Sequence, residues 1–345
     1  MRALVTGATG IVGAHIVRAL LDGRHEVCVL VRPGSDRRAL AGLDVAIHEG
    51  DVLDMASVER AARRCQWVFH AAAVFAYAGI SAEAQNDLAV RGTRKVLQAA
   101  YSAGASRAIV TSSAVTLGST AKPQVLDEDA VFAEPHPSNY TLAKVQQEIA
   151  AFDVGRHLGL DVVSVCPTLV IGAHDYRLGP SNGNLANYLN DPLRCTFPGG
   201  CNVVAAQDVG LAHMVAALRG VPGQRYVAGG ENLRWEALHG MVSELAGTFG
   251  PSLRLNHTAA YLAAASMEAA ARVAGRRPAV TRDEARMACR FYWYDHARLS
   301  ALGWEPRPAR KALTTALAWL LDQGHIAENV AARLRPLSEV QAARA

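Results

Sequence analysis

The sequence predicts an α/β protein: a doubly wound parallel sheet with a smaller, discontinuous and mostly helical C-terminal region. Three observations predict it. Short β-branched runs alternate with Ala/Leu-rich helical stretches over the first two-thirds of the chain, the rhythm of a parallel sheet with crossover helices. The apolar runs show little polar alternation, as strands buried on both faces require. A glycine-spaced turn, "TGATGIVG", joins the first strand to the first helix. At 345 residues, half of them hydrophobic and 19% charged, the chain is long enough for a large domain carrying a smaller one.

In chain order, the strands are expected at "ALVTG" (3–7), "HEVCVLV" (25–31), "DVAIHEG" (44–50), "QWVFHAA" (66–72), "RAIVTSS" (107–113) and "DVVSVCP" (161–167). Between them lie "GAHIVRALLDG", "SVERAARRC", "LAVRGTRKVLQAAYSAG" and "TLAKVQQEIAAFDVGRHLG", with apolar residues at helical spacing. After "CPTLVIGAH" the rhythm breaks. Residues 173–200 are rich in Gly, Pro and Asn and read as loop with one short helix. "NVVAAQDVGLAHMVAALRG" and "QRYVAGG" read as a return to the sheet, at about 202–229, and the rest as mostly helix. The expected division is therefore a first domain of residues 1–172 with that return segment, and a cap of residues 173–345.

The bulk numbers exclude several classes. The net charge of +4 is spread among mixed Arg and Asp/Glu, with no block suited to nucleic acid or an acidic membrane. Six scattered cysteines form no C-x-x-C pair, and the histidines include no H-E-x-x-H, so neither a metal nor a disulfide framework is expected. The apolar run at 259–275 is interrupted by Glu268 and Arg272 and is too short to span a bilayer. No signal peptide is read at "MRALVTGATG", and a soluble, cytoplasmic protein is expected. Lysine occurs only at Lys95, Lys122, Lys144 and Lys311. A lysine at a chemically useful spacing therefore carries more weight here than in an average chain.

Gly7, Gly10 and Gly13 follow a strand and open a helix. Dinucleotide binding needs such a triplet: a tight turn, close backbone approach to a pyrophosphate, and close helix–strand packing, with free N–H groups at the helix start. This is a Rossmann-type arrangement and implies a nicotinamide dinucleotide. NAD-specific sites place an acid at the end of the second strand; here "VLVRPGSDRR" puts Val31 and Arg32 there. Arginine suits a 2′-phosphate, with Arg37 or Arg38 as a second contact, so NADP(H) is favoured and NAD(H) remains possible. A solvated basic turn is the alternative. Asp51, in "EGDVLD", is placed to accept from an adenine amino group, or is a simple turn carboxylate.

"TSSAVTLG" follows the fifth strand at its C-terminal end, where open α/β sheets hold their ligands, so Ser112 and Ser113 are expected near the cofactor. "SNYTLAK" then stacks Tyr140 and Lys144 on one face of a helix, off the apolar stripe of Leu142, Val145, Ile149 and Phe152. That leaves the helix two faces to bury, one of them suited to a subunit interface. The chemistry is direct. Reduction of a carbonyl develops an alkoxide that needs a proton donor within hydrogen-bond reach. A free tyrosine titrates near about 10; a neighbouring ammonium stabilises its phenolate, and a serine hydroxyl orients the substrate oxygen.

These motifs, with "FHAAA", "VRGT", "PTLVIG" and the terminal "LGWEPRP", make the chain resemble an extended short-chain dehydrogenase/reductase of the NAD-dependent epimerase/dehydratase superfamily. It is most similar to members like the hopanoid-associated sugar epimerases and dihydroflavonol reductases. The resemblance implies Ser113, Tyr140 and Lys144 as the catalytic triad. It implies a cofactor held by Gly7, Thr9, Gly10, Ile11, Val12 and Gly13, by Asp51 and Val52, and by Ala71, Ala72 and Ala73. Thr111, Tyr140, Lys144, Pro167 and Leu169 complete the expected cofactor wall. Three departures stand out. Ala89 replaces the family's relay asparagine, with Asn86 one turn earlier as a possible substitute. Cys166 stands where sugar-nucleotide enzymes carry asparagine, and "NVVAAQDV" replaces the signature that grips a nucleotide diphosphate.

The function expected is an NADPH-dependent reductase of a ketone or aldehyde on a small, fairly apolar molecule, with a homodimer as the assembly. The alternatives are an NAD(P)-dependent sugar epimerase or dehydratase acting on a sugar-like substrate, and a non-catalytic cofactor-binding protein. Phe75 and Tyr77 after the fourth strand, Ser113, and His174, Tyr176 and Asn182 in the later loop are the candidate substrate contacts, packing or an exposed loop being the alternative for each.

Overall fold

The computed structural model describes residues 1–72, 81–134, 137–276, 278 and 280–344. Seven parallel strands build the central sheet: β1 (Arg2–Thr6), β2 (Glu26–Val31), β3 (Ala46–Glu49), β4 (Trp67–His70), β5 (Arg107–Thr111), β6 (Asp161–Pro167) and β7 (Arg225–Ala228). Their order is β7-β6-β5-β4-β1-β2-β3. The order reverses beside β1, so a crevice opens between the C-terminal ends of β1 and β4, the position at which such sheets take ligands. The first six strands lie where the β-branched runs predict them. Leu4, Val29, Val68, Ile109 and Val163 are fully buried, which is why those runs carry no polar alternation.

Helices α1 (Ile11–Asp22), α2 (Met55–Ala62), α3 (Ala82–Ser102), α4 (Asn139–Leu158), α5 (Pro180–Asn190) and α6 (Ala206–Arg219) follow in chain order. α4 starts at Ser138, whose hydroxyl accepts from Thr141 N at 3.1 Å, and ends at Gly159, whose φ of 69° lets the chain leave in the left-handed region. The close approach of α1 and α6 uses Gly210, where a Cβ would lie 2.3 Å from the His15 carbonyl oxygen.

The C-terminal region is mostly helical, as expected, but its helices pack on a second sheet that the sequence reading did not foresee. Leu169–Ile171, Gly200–Ala205, Glu231–Arg234, Phe291–Tyr294 and Val125–Leu126 join in a separate five-stranded sheet. The segment "NVVA", read as returning to the main sheet, instead pairs with Leu169–Ile171 and Glu231–Arg234; only "RYVA" rejoins the main sheet, as β7. Helices Trp235–Leu245 and Ala309–Asp322 pack on this second sheet around Leu238, Leu313 and Leu317, all buried. No helix among the described residues is long and apolar enough to cross a membrane.

Candidate active site

The glycine loop between β1 and α1 shows why each glycine is there. Gly7 has φ of +72°, and a Cβ on it would stand 2.5 Å from Ala72 N and 2.6 Å from Ala71 O. On Gly13 a Cβ would fall 2.2 Å from Gly7 O, so the first turn of α1 crosses directly over the loop. Gly10 is different. Its backbone is ordinary extended chain (φ −94°, ψ 164°), and a Cβ would meet only Gly7 O at 3.5 Å, a normal contact. The fold therefore has no need of glycine at position 10, and what its missing Cβ leaves open is a cradle over the start of α1. That helix has no side-chain cap and no acidic residue in its first turn. The N–H groups of Ile11, Val12 and Gly13 thus fit the pyrophosphate of a dinucleotide.

At the outer end of the crevice, β2 ends at Val31, and Arg32 is exposed with no side-chain partner among the described residues. The neighbouring arginines are engaged. Arg37 pairs with Glu49, and Arg38 holds both carboxylate oxygens of Asp36 through its Nε and Nη2. Asp51 is half-buried and turns one carboxylate oxygen onto Leu53 N at 2.8 Å, a turn role that leaves its other oxygen available. Val52 lies against Gly92 of α3.

At the inner end, Ser113 caps a short 3₁₀ turn (Ala114–Leu117) directly after β5, and its hydroxyl faces Tyr140 in the first turn of α4. Burial pushes the Tyr140 hydroxyl up to about 12, and the Ser113 hydroxyl pulls it part of the way back. The phenol is therefore protonated at neutral pH. One turn on, Lys144 is 5% exposed and donates to Thr111 O at 3.0 Å and to Gln147 Oε1 at 2.9 Å. Burial brings its ammonium down to about 8, while Cys166 and Glu148 work against that shift.

Helix α4 is turned against the usual amphipathic rule. Thr141, Lys144, Gln147 and Glu148 face inward, and the apolar Leu142 and Ile149 are 40% and 49% exposed. Cys166 also faces inward: its thiol donates to Glu148 Oε2 at 3.4 Å, beside Ser164 Oγ at 2.8 Å and the Arg225 guanidinium at 3.3 Å. Pro167 ends β6, and Leu169 starts the adjoining strand of the second sheet.

The later-loop candidates His174, Tyr176 and Asn182 all make contacts within the protein. Asn182 is fully buried and holds both the N–H and the carbonyl of Gly172, as well as Asp175. The His174 ring lies between His15 and Trp319, at 5.6 and 5.4 Å. Tyr176 stands edge-on to Trp319 at 4.8 Å, with the Arg38 guanidinium 4.6 Å over its ring. These contacts fold loop 172–179 back across the nucleotide end, where Arg177 donates to Thr9 Oγ1 in the glycine loop. Sequence reasoning missed Arg177, since nothing in a Gly/Pro-rich loop marks which residue turns inward. Ala73, Phe75 and Tyr77 lie outside the described residues. Among the described residues, Asn86 Oδ1 and Ser112 Oγ are buried without a hydrogen-bond partner, and the acceptors of Lys144 are Thr111 and Gln147, not Asn86.

The family model described as NAD dependent epimerase/dehydratase matches residues 3–194, which carry the glycine loop, Ser113, Tyr140 and Lys144. The chain is similar to a putative dihydroflavonol 4-reductase of Synechocystis sp., 30% identical over 93% of this chain and 95% of the relative. It is similar to sterol demethylase protein B of Methylococcus capsulatus, 29% identical over 94% of this chain and 100% of the relative. Among solved structures it matches gox2253 with a TM-score of 0.82 and 32% identity, over 94% of this chain and 99% of the other.

Proposed function

The chain belongs to the NAD dependent epimerase/dehydratase family and is an NAD(P)-dependent oxidoreductase, and from that premise we propose that it is an NADPH-dependent reductase of a ketone or aldehyde on a small, fairly apolar molecule. The observation that carries the reading is that the Ser113 hydroxyl faces Tyr140, which burial keeps protonated, with Lys144 held one turn away. A reduced nicotinamide, when bound, supplies the hydride. The chain's own residues supply the rest. Ser113 holds the carbonyl oxygen, Tyr140 passes its proton to that oxygen as charge develops, and the Lys144 ammonium stabilises the phenolate left behind.

The reductase reading is preferred to the epimerase one for two reasons. The relative of Synechocystis sp. is named as a reductase over nearly the whole chain. The positions where a sugar nucleotide's diphosphate is expected to be gripped are spent internally: Cys166 on Glu148, and Asn202 on Thr168, Gly230, Asn232 and Tyr294.

The cofactor preference rests on Arg32, the unpaired arginine at the end of β2. Arg32→Ala is expected to weaken NADPH binding about 10- to 100-fold, the worth of a charge-assisted contact, and to leave NADH binding almost unchanged. Arg177→Ala, at the glycine loop, is expected to weaken both cofactors alike. Fluorescence titration of the two cofactors against the two variants checks this; equal losses of NADPH and NADH in Arg32→Ala would refute the 2′-phosphate role.

The expected homodimer is supported by the outward apolar stripe of α4 together with Tyr101 of the adjoining α3, which is 51% exposed. A second copy covering this face would bury Leu142 and Ile149. Sedimentation velocity is expected to show a dimer that Leu142→Glu with Ile149→Glu converts to monomer; a wild-type monomer at micromolar concentration contradicts the reading.

A further inference from the structure

Lys144 is anchored through two buried arms that run through separate histidines. In the first, Lys144 Nζ donates to Gln147 Oε1 at 2.9 Å. A lysine ammonium can only donate, so the amide orientation is fixed and Gln147 Nε2 donates to Thr93 Oγ1 at 3.0 Å. Thr93 is fully buried on α3, and its only other side-chain neighbour among the described residues is His70 Nε2 at 3.1 Å. Thr93 Oγ1 and Thr6 Oγ1 thus sit on the two ring nitrogens of His70, at 3.1 and 2.9 Å, and the neutral ring donates to one of them and accepts from the other. Thr6 is the residue before Gly7. This arm runs from the lysine to the residue before the glycine loop.

The second arm is shorter. Lys144 donates to Thr111 O, and the Thr111 hydroxyl donates to His213 Nε2 at 2.8 Å, because His213 Nδ1–H is taken by Val209 O at 2.7 Å. Burial keeps both imidazoles neutral, holding His70 down at about 3 and His213 at about 4.

We propose that Gln147 is a positioning residue for Lys144, part of a closed side-chain cradle that occupies the protein side of the lysine where a water-linked asparagine relay is expected from family resemblance. The inference rests on Lys144 acting as the tuner of Tyr140. An amide passes no proton along this route at neutral pH, so the arm fixes the ammonium's place and field instead of conducting protons. It also ties that place to β1, β4 and α3, which carry Thr6, His70 and Thr93. The charged and titratable groups acting on the ammonium are Glu148 from its own helix, Cys166 from β6 and the neutral His70, with the neutral His213 beyond Thr111. Glu148 is itself paired with Arg225, and Gln147 is the side-chain acceptor in direct contact.

With only four lysines in the chain, ¹³C-lysine labelling of the cofactor-free protein resolves the Lys144 signal, assigned by its absence from Lys144→Met. The wild-type signal is expected to titrate near 8. Gln147→Glu places a carboxylate in the contact and is expected to raise that midpoint by about one unit or more. Gln147→Met is expected to lower it. Thr93→Val, which frees the amide to turn away, is expected to lower it by less, while Thr93→Ser leaves it in place; this pair carries the test if Gln147→Met does not fold. In turnover, the alkaline limb of kcat is expected to move in step, with KM for the carbonyl substrate unchanged. Midpoints that coincide in wild type, Gln147→Glu and Thr93→Val, with each protein folded, overturn the proposal. Midpoints that shift as expected in a protein with no reductase turnover would uphold the cradle and reject the reductase reading.

Discussion

Tyr140→Phe is expected to lower carbonyl reduction by about 10²–10⁴-fold, the contribution of a well-placed general acid, with little change in cofactor affinity. The substitution removes one oxygen atom from a residue that the start of α4 holds through its backbone, not through its hydroxyl. Ser138 still caps the helix, Lys144 keeps its two acceptors, and the glycine cradle is untouched. What disappears is the proton donor facing Ser113. Turnover with and without the hydroxyl, measured beside cofactor dissociation constants, separates a chemical loss from a binding loss. Full turnover in Tyr140→Phe would reject the assignment.

The second large effect is a contrast within the glycine loop. Gly13→Ala is expected to destabilise the fold by about 3 kcal/mol or more, the upper range of overpacking, because its Cβ would stand 2.2 Å from Gly7 O. Gly10→Ala is expected to fold with nearly wild-type Tm, since its Cβ meets nothing nearer than 3.5 Å and its backbone suits alanine. Its cofactor affinity is nevertheless expected to fall more than about tenfold, a loss of about 1.4 kcal/mol, because the methyl group fills the cradle. Thermal melts paired with cofactor titration distinguish the two. A Gly10→Ala protein that binds cofactor normally would show that the open face at Gly10 is not where the pyrophosphate sits.

The central sheet was legible because a strand buried on both faces must be apolar throughout, and runs such as "EVCVLV" and "DVVSVCP" have no other comfortable place. The second sheet was not, because its strands are two to six residues long and come from five distant segments. No period can be read from "VL" or "LVI", and "FYWY" carries no alternation. The placing of Tyr140 and Lys144 one turn apart on a single helix was legible from their spacing. The direction of that helix was harder to read: its buried side is polar because Lys144, Gln147 and Glu148 find partners on other elements, so the apolar stripe marks the exposed side. Gln147 was within reach as the third residue after Lys144, but Thr93, His70 and His213 come together only when α3, β4 and α6 are packed. His174 and Tyr176 drew attention as aromatic and titratable groups in a loop, and their ring contacts place them in the loop's own packing with Trp319.

The central claim is net carbonyl reduction at the Ser113–Tyr140 pair. It is tested most directly by incubating the protein with NADPH and a panel of apolar ketones and aldehydes while following nicotinamide absorbance and alcohol product together. The account predicts that NADPH is consumed one-for-one with alcohol formed, and that Tyr140→Phe abolishes both. Turnover of a sugar nucleotide with no net change in the cofactor, and no reduction of any carbonyl in the panel, would contradict it.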